Sequence, residues 1–268
     1  MYWADVLYET PDTDPANYES SLEQNAEQVD GGGLAELPIA HTAAEAEFIE
    51  ALRRQLTRAT AAEVESGAAP MPEDPDAVGL ERIPLPWFIK KRIMKAWLRD
   101  AHHYYFNERF SPRAGVSYAV QDEIRARFVS ALGKVPQHNG PHVVVAHSMG
   151  TMVAYDCLKR VAACPSIDAL VTLGSPLGID EVQDCNKPEW SRADGFPSER
   201  IRSKWVNVYD RLDVICGADP HFADDFCQRG VEVIEDIAVT NDGAWRHAVA
   251  KYLRQPVLQA TLRRLLGL

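Results

Sequence analysis

Between residues 142 and 161 the chain reads HVVVAHSMGTMVAYDCLKRV, a β-branched apolar run that gives way to a helical pattern with a serine at the junction. Ser148 has alanine two positions before it and glycine two positions after it. A sharp strand-to-helix turn needs small residues at those places, because larger side chains would collide across it. Such a turn holds the serine in a strained backbone conformation, with its hydroxyl above the sheet and the free N–H groups of the new helix beside it. That arrangement suits attack on a carbonyl carbon, with the backbone N–H of Met149 donating to the oxyanion that forms.

A serine hydroxyl is a weak nucleophile at neutral pH, so it needs a base, and the base needs an orienting acid. On a strand–turn–helix site of this kind the chain order is serine, acid, histidine. Asp213 is the expected acid, because it follows KWVNVYD after a short turn and would stand at the carboxyl edge of the sheet. Asp210, nearer the strand end, is its rival; Asp180 and Asp219 are weaker choices. Downstream of Ser148 the histidines are His221 and His247. His247 is preferred as base, since it follows the last expected strand and a Thr240-Asn241-Asp242-Gly243 turn that can bring it back over the serine. His147 and the other histidines are expected to serve packing or solvent contacts.

These groups must be carried by a scaffold, and from about residue 118 the pattern supplies one. A helix SYAVQDEIRARFVSALGKV is followed by the strand HVVVA and the helix after Ser148. The strands ALVTLGS, KWVNVYD and VEVIEDIAV come next, then a C-terminal helical pair interrupted at Pro256. Short apolar strands alternating with helices predict an α/β fold with a mostly parallel central sheet covered by helices, and chemistry at the carboxyl ends of the strands.

The first hundred residues read differently. YWADVLY (2–8) has the aromatic content of a strand, and a polar stretch after it ends in Gly31-Gly32-Gly33. A helix over 42–65 opens on Thr42, the linker GAAPMPEDPDAVG follows, and a second helix begins after Pro86 with Ile89, Ile93, Trp97 and Ala101 in a stripe. The whole is read as a single domain, 1–268, with 42–112 as a helical cap. Trp87, Phe88, Trp97, Tyr104, Tyr105 and Phe106 are either the lining of an apolar acyl pocket or a helix face packed on the sheet. Lys90, Lys91, Arg92, Lys95 and Arg99 give the helix over 86–106 a basic cluster: a gating element docked on acidic residues, a contact for a membrane surface, or a solvated face.

Composition excludes several function classes. Net charge is −11, and residues 1–50 hold twelve acids and no Lys or Arg, which argues against a nucleic-acid partner and a mitochondrial transit peptide. No apolar run approaches the roughly 18 residues that cross a bilayer, and export is not signalled, so a cytoplasmic location is expected. The five cysteines show no CxxC or metal-ligand spacing and read as reduced packing residues, with a Cys216–Cys227 link as the alternative. No cofactor or metal is expected.

AHSMGT, GSPLG (174–178), VNVYDRLDVICG and the late HAVAKYL together resemble the α/β-hydrolase superfamily, in its bacterial lipase/esterase-like form, over roughly residues 118–260. The resemblance implies a serine hydrolase acting on a small-molecule or lipid-like acyl ester, with Ser148, Asp213 and His247 as nucleophile, acid and base. One feature departs from it. Similar hydrolases place an early strand and a His-Gly or Gly-rich turn upstream of the nucleophile to supply a second oxyanion N–H, and here the chain opens at YWADVLY, as if N-terminally abbreviated. Gly31-Gly32-Gly33 is a poor substitute, because EQNAEQVD before it is not a strand. An acyltransferase and a non-catalytic binding protein on the same fold therefore stay open beside the hydrolase.

Overall fold

The computed structural model describes residues 1–10, 38–65, 87–134, 140–216, 219–243 and 245–268, with the side chains of 59–65 and 87–93 outside that description. Gly31-Gly32-Gly33, the linker after residue 66, and the side chains of Trp87, Phe88, Lys90, Lys91 and Arg92 thus lie outside the described residues.

The segment expected as a first strand is instead the short helix α1 (Ala4–Leu7). A strand needs its N–H and C=O groups paired with those of a neighbour, and this segment pairs with none among the described residues, although residues 109–113 lie against it and Arg113 donates to the Asp5 carbonyl at 3.2 Å. Its N–H groups turn inward, Val6 N–H to Trp3 O and Tyr8 N–H to Ala4 O. Val6 and Leu7 enter the core, while the Asp5 carboxylate is clasped by Arg127.

Helix α2 (Ala43–Glu65) starts on the expected Thr42 cap. Thr42 Oγ1 accepts the Glu45 N–H at 3.2 Å, and the Glu45 carboxylate reaches back to the His41 N–H at 2.7 Å. Helix α3 (Trp87–Tyr105) turns Met94, Trp97, Leu98, Ala101 and Tyr104 into the main core. The part of its apolar stripe that is described therefore packs the scaffold. Arg99 also departs from the expected basic face: it pairs with Asp100 at 3.0 Å and lies over the Tyr8 ring.

A hairpin that the sequence pattern did not reveal follows, β1 (Arg109–Arg113) antiparallel to β2 (Val116–Ala119), turning at Ala114-Gly115 with Gly115 at φ +74°. It takes the first residues of the segment expected to be helical, so α4 begins at Val120 (Val120–Gly133).

The remaining elements follow the expected order, with α6 added between two strands where the sequence pattern showed no helix: β3 (Val143–His147), α5 (Met149–Arg160), β4 (Ile167–Leu173), α6 (Asp180–Asp184), β5 (Ile201–Asp210), β6 (Glu235–Val239), α7 (Val249–Arg254) and α8 (Pro256–Leu266). The last strand is shorter than VEVIEDIAV suggests, with Val231 exposed before it. The strands form one parallel sheet in the order β3-β4-β5-β6. Alternation along them divides their side chains between two cores. Leu170 and Trp205 join the larger one with α3, α4 and α5; Val171, Leu173, Val206 and Val208 join the smaller one with Tyr252 of α7 and Leu258 of α8. Proline at residue 256 ends one helix and starts the next, because it lacks an N–H and suits a first turn. All five cysteines are free, so the Cys216–Cys227 link is not formed. Among the described residues no helix is long and apolar enough to cross a membrane.

One buried carboxylate ties the helices on the larger-core side. Asp156 in α5 has no exposed side-chain surface; it takes two 2.6 Å bonds from Arg125 of α4, one at 3.1 Å from Arg160 and one at 2.6 Å from the Tyr104 hydroxyl of α3. Replacing one member of such a cluster strands the others. Asp156→Ala is expected to lower the free energy of unfolding by about 3–5 kcal/mol, measured by urea denaturation; a loss below about 1 kcal/mol would mean that the two arginines find water instead.

Candidate active site

The parallel sheet brings the carboxyl ends of β3, β4 and β5 side by side, and each ends in a residue that matters locally. After β3 comes Ser148, at φ +52° and ψ −130°, a conformation that a non-glycine residue rarely adopts. Its N–H donates to Leu173 O across to β4 at 3.1 Å, and its C=O accepts both the N–H and the hydroxyl of Thr151. The strain is thus held from both sides. Met149 opens α5, so its N–H belongs to the first helical turn, whose donors have no partner within the helix. Trp3 packs over Gly150 in that turn, where an added Cβ would stand 3.5 Å from the indole.

After β5, Asp213 and His247 meet. The His247 Nδ1–H donates to both carboxylate oxygens of Asp213, at 2.9 and 2.8 Å, and both side chains are buried. Asp213 also accepts the Tyr252 hydroxyl at 2.7 Å and the Ile215 N–H at 2.9 Å. Burial by itself pushes its carboxyl pKa up, but the neighbouring His247 and these donors outweigh burial and hold it below the ordinary value. The carboxylate therefore stays ionised, and its bonds to Nδ1 leave Nε2 as the atom of His247 that can take up a proton.

Asp210, the rival acid, has a different task. It accepts the Asn241 N–H at 2.6 Å, the Leu212 N–H at 2.9 Å and Arg246 at 3.1 Å, and so pins the loop that carries His247. His221 is exposed and lies near Asp224 and Asp236 at 3.5 Å each. Asp180 pairs with Arg192 at the surface, at 3.4 Å. Burial and three neighbouring carboxylates raise the Asp219 pKa to about 6.

Ser148 is joined to the acid–base pair through its neighbours. His147 Nε2–H donates to the His247 carbonyl at 2.7 Å, and the two rings lie 4.5 Å apart. Gly174, just past β4, closes the third side. It sits at φ +52°, and a Cβ there would stand 2.8 Å from Asp213 Oδ2 and 3.1 Å from His247 Nδ1. Only glycine leaves room for the pair. Three positioning residues thus escaped sequence reasoning. Gly174, His147 and Tyr252 were visible only as parts of GSPLG, AHSMGT and HAVAKYL; the contacts of the last two had no signal, because their partners lie 100 and 39 residues away in sequence.

The sequence model of a family described as "Alpha/beta hydrolase family" matches residues 99–266, well over half of the chain and further towards its start than the quoted motifs reach. No curated protein and no solved structure matches the chain.

Burial, followed by the charge of His247, pushes the His147 pKa from 6.5 down to about 3. In the unfolded chain this ring gains a proton as pH falls below about 6.5, while in the folded protein it stays neutral until about 3, so its contribution to stability is complete above 6.5 and lost across that window. Asp213, whose folded pKa is depressed, loses its contribution in the same direction but only below the ordinary carboxyl value of 3.8. His147→Gln keeps an N–H donor and cannot gain a proton. It should reduce proton uptake on unfolding between pH 6 and 4 by about one proton, read from the pH dependence of the unfolding free energy; an unchanged slope would place the His147 titration elsewhere.

Proposed function

The chain belongs to the alpha/beta hydrolase family, and on that premise we propose that it is a serine hydrolase that cleaves a carboxylic ester or thioester through an acyl-enzyme. The observation that carries this reading is the buried Asp213–His247 pair set beside the strained Ser148 turn. Ser148 Oγ attacks the carbonyl carbon while His247 Nε2 takes the hydroxyl proton. The imidazolium is stabilised by the ionised Asp213. The carbonyl oxygen becomes an oxyanion that the Met149 N–H receives. Collapse of the intermediate breaks the bond to the alcohol or thiol, which leaves with the proton returned by His247. Water then attacks the acyl-serine by the same steps, regenerating the serine and releasing the acid. An alcohol in place of that water would make the protein an acyltransferase, with the same residues in the same roles.

Asp213→Asn would preserve the shape and alter the tautomer of His247, whereas Asp210→Asn would loosen the loop through Asn241 and Arg246. The substrate is proposed to be a small or lipid-like acyl ester, handled without cofactor, in the cytoplasm.

A fluorophosphonate probe should label the protein at Ser148, and Ser148→Ala should abolish both labelling and turnover of short p-nitrophenyl esters with the circular dichroism spectrum unchanged. His247→Ala or Asp213→Asn should each cost about 1,000-fold or more in kcat, and adding either to Ser148→Ala should cost little more, because the three act as a unit. Turnover retained in Ser148→Ala sinks the nucleophile. A folded wild type that neither reacts with the probe nor turns over ester would make this a binding protein on a hydrolase fold.

A further inference from the structure

Away from this site, where α2 begins and α3 ends, the chain gathers three histidines and two carboxylates from separate segments. His102 and His103 occupy the last turn of α3, Glu108 leads into β1, and His41 and Glu45 flank the start of α2. The ligand atoms of His102, His103 and Glu108 all lie within 4.8 Å of one another. His103 Nδ1 shares a very short hydrogen bond with Glu108, and His41 Nε2 approaches the other Glu108 oxygen at 3.6 Å.

The unusual member is His102. Its side chain has no exposed surface, and its Nδ1 has no hydrogen-bond partner among the described residues. Nε2 faces Glu45 Oε2 at 3.3 Å, and Nδ1 faces Glu108 Oε2 at 4.0 Å. With its proton on Nε2, towards Glu45, the ring presents a bare lone pair on Nδ1 to a carboxylate. A buried acceptor facing another acceptor is unfavourable without a cation between them. The end of α3 adds the negative pole of the helix to the two carboxylates.

We propose that His102 Nδ1, His103 Nδ1, Glu108 and His41 Nε2 bind one divalent transition-metal ion of the zinc type. Nitrogen donors with a single carboxylate suit that ion over calcium or magnesium, which prefer all-oxygen sets. Bonds of about 2.0–2.1 Å in a tetrahedron place ligand atoms about 3.4 Å apart, so from 4.0 Å His102 and Glu108 close by about half an ångström, His103 and Glu108 open as the metal replaces the proton between them, and the exposed His41 ring, 3.6 Å from the other Glu108 oxygen, turns in as the fourth ligand. That proton moves to Nε2 of the His103 ring, which stays neutral. Glu45 holds the far nitrogen of His102, the carboxylate–histidine–metal arrangement that fixes tautomer and ring orientation. With four protein ligands the ion is structural, joining the start of α2 to the end of α3 and the approach to β1. The backbone already holds Glu108 in place: its N–H donates to His103 O and its C=O accepts from Val120 N–H. No i,i+4 histidine pair announces the site, since His102 and His103 are adjacent and the other groups lie on different elements.

The untagged full chain, stripped with a chelator, is titrated with Zn2+ and, separately, with Co2+. The expected result is one Zn2+ per chain, a raised thermal midpoint, and the intense visible absorption of tetrahedral cobalt. Glu108→Gln and the exposed-site variant His41→Ala should each weaken zinc binding by about tenfold or more, and Glu45→Gln by about tenfold to a hundredfold. Ser148→Ala should bind zinc like the wild type, which separates this site from the proposed nucleophile. The inference is overturned if the natively folded wild type takes up zinc no more tightly than a Glu108→Gln, His41→Ala double variant, as for protonated imidazoles paired with carboxylates, or if cobalt shows only the weak spectrum of an octahedral ion.

Discussion

A carboxylate with no exposed surface cannot stay charged unless donors surround it, and Asp213 satisfies that condition at the end of β5. Its donors are an N–H from its own loop, the His247 ring and the Tyr252 hydroxyl, and the last two come from the segment after β6. Tyr252 also accepts the Asp210 N–H and lies in the smaller core. The packing of α7 against the sheet and the ionisation of Asp213 are therefore one constraint. Gly174 belongs to it as well, because the pair occupies the space that any side chain there would need.

Two aspartates three positions apart divide the labour in a way their sequence does not display. Asp210 holds backbone and Arg246, so it locates the loop; Asp213 holds the ring that the loop carries. His147 adds a third restraint by gripping the His247 carbonyl from the β3 side. Backbone and ring together limit the orientation of His247, the restraint that its proposed role as base would require, because misplacement by an ångström costs orders of magnitude in rate.

Elsewhere the same economy of buried charge recurs. Asp156 gathers α3, α4 and α5 through two arginines and a tyrosine, and the cluster around His102 joins α2, α3 and the hairpin. Around Asp156 helices that share an apolar core are given a fixed relative position by polar groups that this arrangement satisfies, whereas around His102 the arrangement leaves a buried ring nitrogen unsatisfied.

What the sequence determined by itself was what local pattern can carry. The small residues around Ser148 specified the turn, the β-branched runs specified β3, β4 and β5, and Thr42 and Pro256 marked helix boundaries, because each of these signals acts within a few residues. The order of Asp213 and His247 along the chain was also legible, although Asp210 and Asp213 could not be separated by it. Tertiary structure decided the rest. It made the first aromatic segment a helix that packs on Arg109–Arg113 without pairing with it, and it folded Arg109–Ala119 into a hairpin closed at Ala114-Gly115. It gave Asp213 to His247, and it assembled His41, Glu45, His102, His103 and Glu108. A local pattern constrains backbone conformation, but hydrogen bonds between residues dozens of positions apart depend on how the elements pack, and that packing is settled only when the whole core closes.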